Sequence, residues 1–257
     1  MALLKTLALM LFLVVAGSAQ AAEKISIAAA ADLKFAMDEL IAAFQRSNPG
    51  GQVEAVYGSS GKFRTQIEQG APYDLFFSAD ISYPRALAAA GLAASETRPY
   101  ALGRLVLWSP VVDAGGMKLA DLAAPGITRV AIANPKHAPY GKRAEEALRA
   151  AGVWDKVAGK LVLGENIAQT AQFVQTGNAQ IGLIALSLAL NPELAGKGRY
   201  ALIPESLHQP LEQGFIVTRR AAGNALARRF ADFMGRPEAR TVLARYGFAP
   251  PSGAAGK

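Results

Sequence analysis

Two short stretches of small residues in the first third of the chain could bind an anion. One is Gly-Ser-Ser-Gly at residues 58–61, and the other is Ala-Ala-Asp at residues 30–32. Each lies between a short apolar run and an amphipathic run, as expected where a strand leads into a helix. The first N–H groups of a helix have no intrahelical acceptor, and with the helix dipole they attract anions. Pro-Tyr-Gly at 139–141 and Glu-Asn-Ile at 165–167 predict two more such ends, so the four stretches suggest a site for a small oxyanion.

A second kind of chemistry is suggested by Ser59 and Lys62, which form the S-x-x-K pattern of some serine acyl-enzymes. The S-D-N and K-T-G motifs that accompany this pattern do not occur in the sequence. Asp74 and Asp80 flank a predicted strand and would suit acid–base work, but no basic or nucleophilic partner stands near them. An exported serine hydrolase using Ser59 and Lys62 is therefore the alternative from a different functional class.

The composition excludes several kinds of site. The chain has no cysteine, which excludes disulfides, thiolate nucleophiles and cysteine-bound metals, and its two histidines, His137 and His208, argue against a polyhistidine metal site. The net charge is +7, but the basic residues are scattered and no aromatic-basic module is present. This charge favours an anionic ligand and does not indicate nucleic acid. We expect no cofactor and no nucleic-acid partner.

The first 21 residues have the features of an export signal. Lys5 precedes an apolar run at residues 7–15, and Ser-Ala-Gln-Ala at 18–21 predicts cleavage after Ala21. An apolar run of about 10 residues is too short to span a bilayer, which needs about 20. The remaining residues, 22–257, are enough for one large or two ordinary domains.

Strand and helix patterns alternate along this remaining part. The first helix has apolar residues at helical spacing over residues 33–44, and Asp32 is placed to act as its N-cap. Repeated strand–helix units predict an α/β fold with largely parallel sheets. Strands are predicted at residues 24–29, 52–57, 73–77, 104–108, 129–133, 160–163, 181–185 and 214–218, and later helices around 63–67 and at 83–90, 141–151, 168–175, 225–234 and 238–246.

Four motifs together resemble a known family. The most specific is GSSGKFRTQIEQGAPYDLFFSAD at residues 58–80, and the others are AAAADLKFAM at 28–37, NPKHAPYG at 134–141 and RYGF at 245–248. The chain resembles the periplasmic molybdate-binding proteins of bacterial ABC importers over nearly all of its length after the signal. The resemblance implies a two-lobed periplasmic-binding-protein fold of type II, the Venus-flytrap arrangement, with crossover strands between the lobes.

The same resemblance implies lobe boundaries and a site. Lobe one would comprise residues 22–103 plus 213–257, and lobe two residues 104–212. In the family, a tetrahedral oxyanion lies in the cleft and is held entirely by neutral N–H and hydroxyl donors, with no direct ligand to the molybdenum atom. Carried over by motif position, the ligand-binding residues are Ala31, Asp32, Ser60, Tyr140 and Ile167. Ser60 would use both its hydroxyl and its N–H, and Tyr140 and Ile167 their N–H groups.

This sequence departs from the family at Asp32 and at Ala185. Relatives have a hydroxyl or amide residue at the first position, and a carboxylate there would repel a dianion. We therefore expect Asp32 to cap its own helix with its side chain turned away, or to be neutralised by Lys34 or Lys62. At the second position some relatives carry a tyrosine whose hydroxyl reaches the anion, a role that Tyr140 or a water would have to take here.

The resemblance thus implies a periplasmic solute-binding protein, not an enzyme. It would bind molybdate, and tungstate of nearly equal size, and deliver it as a monomer to the inner-membrane permease of an ABC importer. A binding protein for another oxyanion is the alternative within the same class, motivated by Asp32 and Ala185.

Overall fold

The computed structural model describes residues 23–251, which form two five-stranded sheets flanked by helices. The predicted signal peptide at residues 1–21 lies outside this range. The first sheet contains β1 (Lys24–Ala30), β2 (Gln52–Gly58), β3 (Leu75–Ser78), β4 (Arg98–Gly103) and β10 (Leu211–Val217). The second contains β5 (Leu105–Ser109), β6 (Val130–Ala133), β7 (Leu161–Gly164), β8 (Ile181–Ala185) and β9 (Arg199–Leu202).

Each sheet is mixed, with the same arrangement of strands. The spatial order is β2-β1-β3-β10-β4 in the first sheet and β7-β6-β8-β5-β9 in the second. Pairing is parallel among the first three strands of each order and antiparallel on both sides of β10 and of β5. The expectation of largely parallel sheets is therefore wrong for these two strands. Strands β10 and β5 are each the first strand after the chain crosses from the other sheet, and each runs antiparallel to both of its neighbours.

The two crossings are short. Only Arg104 separates β4 from β5, and residues 203–210 lead from β9 back to β10. The sequence patterns did not predict β4 or β9. We call the first sheet with its packed helices the first lobe, and the second sheet with its helices the second lobe.

The helices cover the faces of the two sheets. In the first lobe they are α1 (Lys34–Ser47), α2 (Ser60–Glu68), α3 (Ser82–Ala89), α8 (Ala225–Phe233) and α9 (Pro237–Arg245). In the second lobe they are α4 (Pro139–Ala150), α5 (Trp154–Val157), α6 (Ile167–Gln175) and α7 (Leu186–Ala189). Within residues 23–251, no helix is both long and apolar enough to cross a membrane.

Apolar periodicity explains which faces are buried. In α1 the buried residues recur every three or four positions, so that Met37, Leu40 and Phe44 face the first sheet. Phe44 packs edge-on against Phe230 of α8, with ring centroids 5.0 Å apart. In the second lobe the core contains Trp108 of β5, which is fully buried. These cores fix the positions of the carboxyl ends of the strands. The small-residue stretches that the sequence analysis singled out lie at these ends.

Candidate functional site

A small cavity between the two lobes contains all five ligand-binding residues that the sequence predicts, Ala31, Asp32, Ser60, Tyr140 and Ile167. Its volume, counted as the space open to the centre of a water-sized sphere, is about 10 Å³. Its walls come from five chain segments, at the ends of β1, β2 and β3 and at the starts of α4 and α6. The other lining residues are Ala30, Gly58, Ser59, Ala79, Ala138, Pro139 and Asn166.

Three helices, α2, α4 and α6, begin at this cavity. The first intrahelical backbone bond of each helix is donated by its fourth residue, from Phe63 N to Ser59 O in α2, Lys142 N to Ala138 O in α4 and Thr170 N to Asn166 O in α6. The N–H groups of Ser60, Tyr140 and Ile167 precede these bonds and have no acceptor within their own helices. Pro139 has no N–H, so Tyr140 supplies the first backbone donor of α4.

The Ser60 side chain is held in a position to donate. Its hydroxyl oxygen accepts a hydrogen bond from the Ala79 N–H over 3.1 Å, which ties the start of α2 to the end of β3. This bond occupies an acceptor site of the hydroxyl and leaves its proton available for another acceptor. Because Ser60 is buried and lines the cavity, that acceptor would be a ligand oxygen.

The cavity has backbone and hydroxyl donors but no cationic side chain. None of the lining residues in the described part of the chain is lysine, arginine or histidine. Asn166 caps α6, and its side-chain oxygen accepts a hydrogen bond from the Gln169 N–H over 3.0 Å. This oxygen is therefore already bonded to a backbone N–H of the helix. A dianion bound here would therefore be held by neutral donors.

The prediction that Asp32 caps its own helix is wrong. Asp32 lies in a 3₁₀ turn at Ala31–Leu33, and α1 begins only at Lys34 with no side-chain cap. Its Oδ2 instead accepts from Gln213 Nε2 over 2.6 Å and from the Tyr140 hydroxyl over 3.1 Å. These donors lie far along the sequence, and burial favours a bond to them over a local cap.

Neutralisation of Asp32 by a lysine is also wrong. Lys34 pairs with Asp38 at 3.1 Å, and Lys62 pairs with Glu165 across the cleft. Asp32 is only 1% exposed, and its Oδ1 has no hydrogen-bond partner among the described residues. Burial raises the pKa of Asp32 to about 6, although the bonds from Gln213 and Tyr140 oppose the increase.

Gln213 of β10 links β4 with both lobes through its bonds to Tyr100, Asp32 and Tyr140. It lies on β10, is fully buried, and donates through Nε2 to Asp32 and, over 3.3 Å, to the Tyr140 hydroxyl. Its Oε1 accepts from the Tyr100 hydroxyl of β4 over 2.5 Å. The β10–β4 register shifts between Gln213 and Gly214, an irregularity of the kind that redirects a side chain.

Sequence patterns did not identify Gln213 or Tyr100 as site residues. The sequence offered one local signal, the glycine at position 103, because only glycine fits beside this hydrogen-bond network. A Cβ at Gly103 would lie 2.3 Å from the Tyr140 hydroxyl oxygen and 2.6 Å from Gln213 Nε2. Burial beside Asp32 raises the pKa of both Tyr100 and Tyr140 well above the usual value, so both hydroxyls keep their protons.

Ser59 and His137 connect the lobes at the edge of the cavity. The Ser59 hydroxyl donates to the His137 carbonyl oxygen over 2.5 Å and lies 3.0 Å from His137 Nδ1, and the Gly61 N–H donates to the same carbonyl over 3.0 Å. His137 lies two residues before α4, and its side chain is largely buried. Ser59 and Lys62 do not form a nucleophile–base pair, since Lys62 pairs with Glu165 and the Ser59 proton is donated to a carbonyl.

A second bridge between the lobes uses Arg143 of α4. Its guanidinium lies 3.3 Å from Asp80, which follows β3, and 2.7 Å from Glu146 one turn along its own helix. The arginine side chain is only 9% exposed. Asp80 therefore pairs with Arg143 between the two lobes.

The position that carries tyrosine in some relatives does not reach the cavity. Ala185 is buried at the end of β8, outside the cavity lining. The Tyr140 hydroxyl does not replace the missing donor, because it donates to Asp32. Nearby, the Ser187 hydroxyl donates to the Asp32 carbonyl oxygen over 2.8 Å, which adds a further link between the lobes.

Comparison with known proteins agrees with this architecture. The family described as "Bacterial extracellular solute-binding protein" matches residues 25–249. The chain is 37% identical over 233 residues to the molybdate-binding protein ModA of Rhodobacter capsulatus, with 89% of each chain covered. It is 35% identical over 235 residues to ModA of Azotobacter vinelandii, covering 90% of this chain and 91% of the relative.

A solved structure confirms the fold class. The periplasmic molybdate-binding protein of Azotobacter vinelandii superposes with a TM-score of 0.81 and 30% sequence identity, covering 88% of this chain and 99% of that protein. This likeness establishes the two-lobed type II fold for the present chain. It also rules against the hydrolase alternative, because the relatives are solute-binding proteins rather than enzymes. The chain therefore belongs to the bacterial extracellular solute-binding proteins, alongside the periplasmic molybdate-binding proteins of that family.

Proposed function

We propose that this protein captures molybdate or tungstate in the cavity between its lobes and delivers it to an ABC importer. The observation that carries the proposal is the convergence of Ser60, Tyr140 and Ile167, from both lobes, on one cavity whose described lining contains no cationic side chain. A tetrahedral dianion can accept hydrogen bonds from all of these donors at once. The names of the relatives from Rhodobacter capsulatus and Azotobacter vinelandii support molybdate as the ligand.

A ligand that contacts both lobes would shift the equilibrium between open and closed forms toward the closed form. A ligand shifts an equilibrium between open and closed forms only if it binds one form better. The donors come from α2 in the first lobe and from α4 and α6 in the second, so only the closed form presents them together. The closed, loaded protein would then dock on the inner-membrane permease. We place the protein in the periplasm as a monomer, exported through the signal at residues 1–21.

The size of the donor shell would select among tetrahedral anions. Molybdate and tungstate are nearly equal in size, and both are larger than sulfate. A preformed shell that fits the larger ions leaves a smaller one unable to reach every donor. Selectivity would therefore separate molybdate and tungstate from sulfate but would not separate them from each other.

A thermal-shift panel of molybdate, tungstate, sulfate, phosphate and chromate tests this function. A ligand at 100 times its dissociation constant adds about 2.7 kcal/mol to stability. We expect molybdate and tungstate to raise the melting temperature most. Equal stabilisation by sulfate at the same concentration would show that the size argument is wrong.

A protonated anion is the second candidate ligand, favoured by one observation. The unpartnered Oδ1 of Asp32 could accept a hydrogen bond from an anion that carries its own proton, such as hydrogen phosphate. The same thermal-shift panel separates the candidates. Stabilisation by phosphate alone would assign the site to that anion instead of molybdate.

A further inference from the structure

The two oxygens of the Asp32 carboxyl group have different surroundings. Oδ2 accepts from Gln213 and from Tyr140, whereas Oδ1 is buried with no hydrogen-bond partner among residues 23–251. Asp32, Ser60 and Ile167 line the same cavity. A buried polar atom without a partner is costly, so such an atom in a residue that lines this cavity requires an explanation.

Neighbouring hydrogen bonds determine which oxygen can carry a proton. The Tyr100 hydroxyl bonds to Gln213 Oε1, which orients the amide so that its NH₂ group faces Asp32. Gln213 also donates to the Tyr140 hydroxyl oxygen, which leaves the tyrosine proton to be donated to Asp32. Two donors therefore converge on Oδ2. A proton on Oδ2 would compete with these bonds, whereas a proton on Oδ1 would not.

The groups that act on Asp32 are electrically neutral. The titratable ones are the hydroxyls of Tyr140 on α4 and, through Gln213, Tyr100 on β4, and both remain protonated. The lysines on the neighbouring helices pair elsewhere, Lys34 with Asp38 and Lys62 with Glu165. Among residues 23–251, no cationic side chain therefore pairs with a carboxylate at position 32 when a dianion occupies the cavity.

We propose that Asp32 binds the oxyanion as the neutral acid, with the Oδ1 proton donated to a ligand oxygen and the proton position fixed by Gln213 and Tyr140. This inference rests on the proposed function. The chemistry is balanced by solvent, because an ionised Asp32 takes up one proton for each dianion bound. An anion that carries its own proton would supply it directly, and Asp32 would then accept as the carboxylate. The site thus holds one proton between Asp32 and the ligand.

This arrangement couples affinity to pH. The pKa of Asp32 in the ligand-free protein is raised to about 6 by burial, so the carboxyl group is largely ionised above that pH. In that range, affinity for a dianion should fall about tenfold for each pH unit, because each binding event consumes a proton. An asparagine at position 32 can donate a hydrogen bond through its NH₂ group without taking up a proton when the anion binds.

Isothermal titration calorimetry at about pH 8, in two buffers of different ionisation enthalpy, measures proton uptake directly. Full-length protein freed of ligand is titrated with molybdate as wild type, as Asp32→Asn and as Asp155→Asn, an exposed control. We expect about one proton taken up by the wild type and the control, and none by Asp32→Asn. Asp32→Asn should also bind more tightly than the wild type, by up to about 100-fold.

The other outcomes are distinct. Wild-type binding without proton uptake, or equal uptake by Asp32→Asn, would overturn the inference and leave the proposed function intact. Failure of the wild type to bind molybdate at any pH would overturn the proposed function itself. If Asp32→Asn does not fold by circular dichroism, Asp32→Ser is the second variant, because serine also donates without a charge. Uptake by Asp32→Ser equal to that of the wild type would overturn the inference.

Discussion

Gln213 Nε2 donates to Asp32 Oδ2 over 2.6 Å, although the two residues are 181 positions apart in the chain. The bond joins the returning crossover strand β10 to the turn that follows β1. Through Tyr140, the same amide also contacts the second lobe. One of the residues that connect the two lobes is therefore in direct contact with Asp32, one of the two positions that depart from the family pattern.

Replacement of Gln213 by leucine should destabilise the protein. It removes a donor to Asp32 and leaves the buried Tyr100 hydroxyl without its shortest partner. Each buried polar group left unsatisfied costs about 1–3 kcal/mol. Urea denaturation at neutral pH would measure the loss. Gln209→Leu, at an exposed position, is the control and should change stability little; an equal loss in both variants would mean that the Gln213 network does not stabilise the fold.

Ser60→Ala should weaken molybdate binding more than Ser59→Ala. The Ser60 hydroxyl accepts from the Ala79 N–H and can donate its proton to a ligand oxygen, and a hydrogen bond to a charged group is worth about 1.5–3 kcal/mol, or about 10- to 150-fold in affinity. The Ser59 proton is already donated to His137, so its loss would affect only lobe contact. Calorimetry on both variants measures the difference, and the reverse order of effects would show that the register of the loop at residues 58–61 is misassigned.

Arg143→Met should favour the open form without touching the ligand. It removes the bridge to Asp80 and leaves a mostly buried carboxylate without its partner between the lobes. Because closure is part of binding, affinity should fall together with the closed population. Small-angle scattering of ligand-free protein should show a larger radius of gyration. Arg149→Met is the matched control, since Arg149 pairs within its own helix; an identical response in both variants would exclude a role for the bridge.

The free energy of unfolding of the ligand-free protein should depend on pH because Asp32 titrates. Its folded-state pKa, about 6, lies above the unfolded value, so its stabilising contribution is complete below about pH 4 and is lost as pH rises through 6. The loss amounts to about 3 kcal/mol. Urea denaturation between these pH values should show a steeper decline for the wild type than for Asp32→Asn. Parallel declines in the two proteins would mean that Asp32 is not the group responsible.

Local features of the sequence predicted much of this site. Residues 58–61, 139–141 and 165–167 do precede or begin helices, because strand-to-helix turns depend on nearby small and capping residues. The hydrogen-bond partners of Asp32 were not predicted, because they come from β10 and α4, far along the chain, whereas the capping preference is local. The edge strands β4 and β9 were missed because they lack a regular apolar alternation, and their pairing depends on β10 and β5.

Calorimetric titration of ligand-free protein with molybdate and, separately, sulfate is the most direct test of the site. We expect one molybdate bound per chain, displacement by tungstate, and much weaker binding of sulfate. The molybdate signal should be reduced in Ser60→Ala, because the hydroxyl lies in the cavity between the lobes. Absence of molybdate binding, or sulfate binding of equal strength, would contradict the assignment of this cavity as a molybdate site.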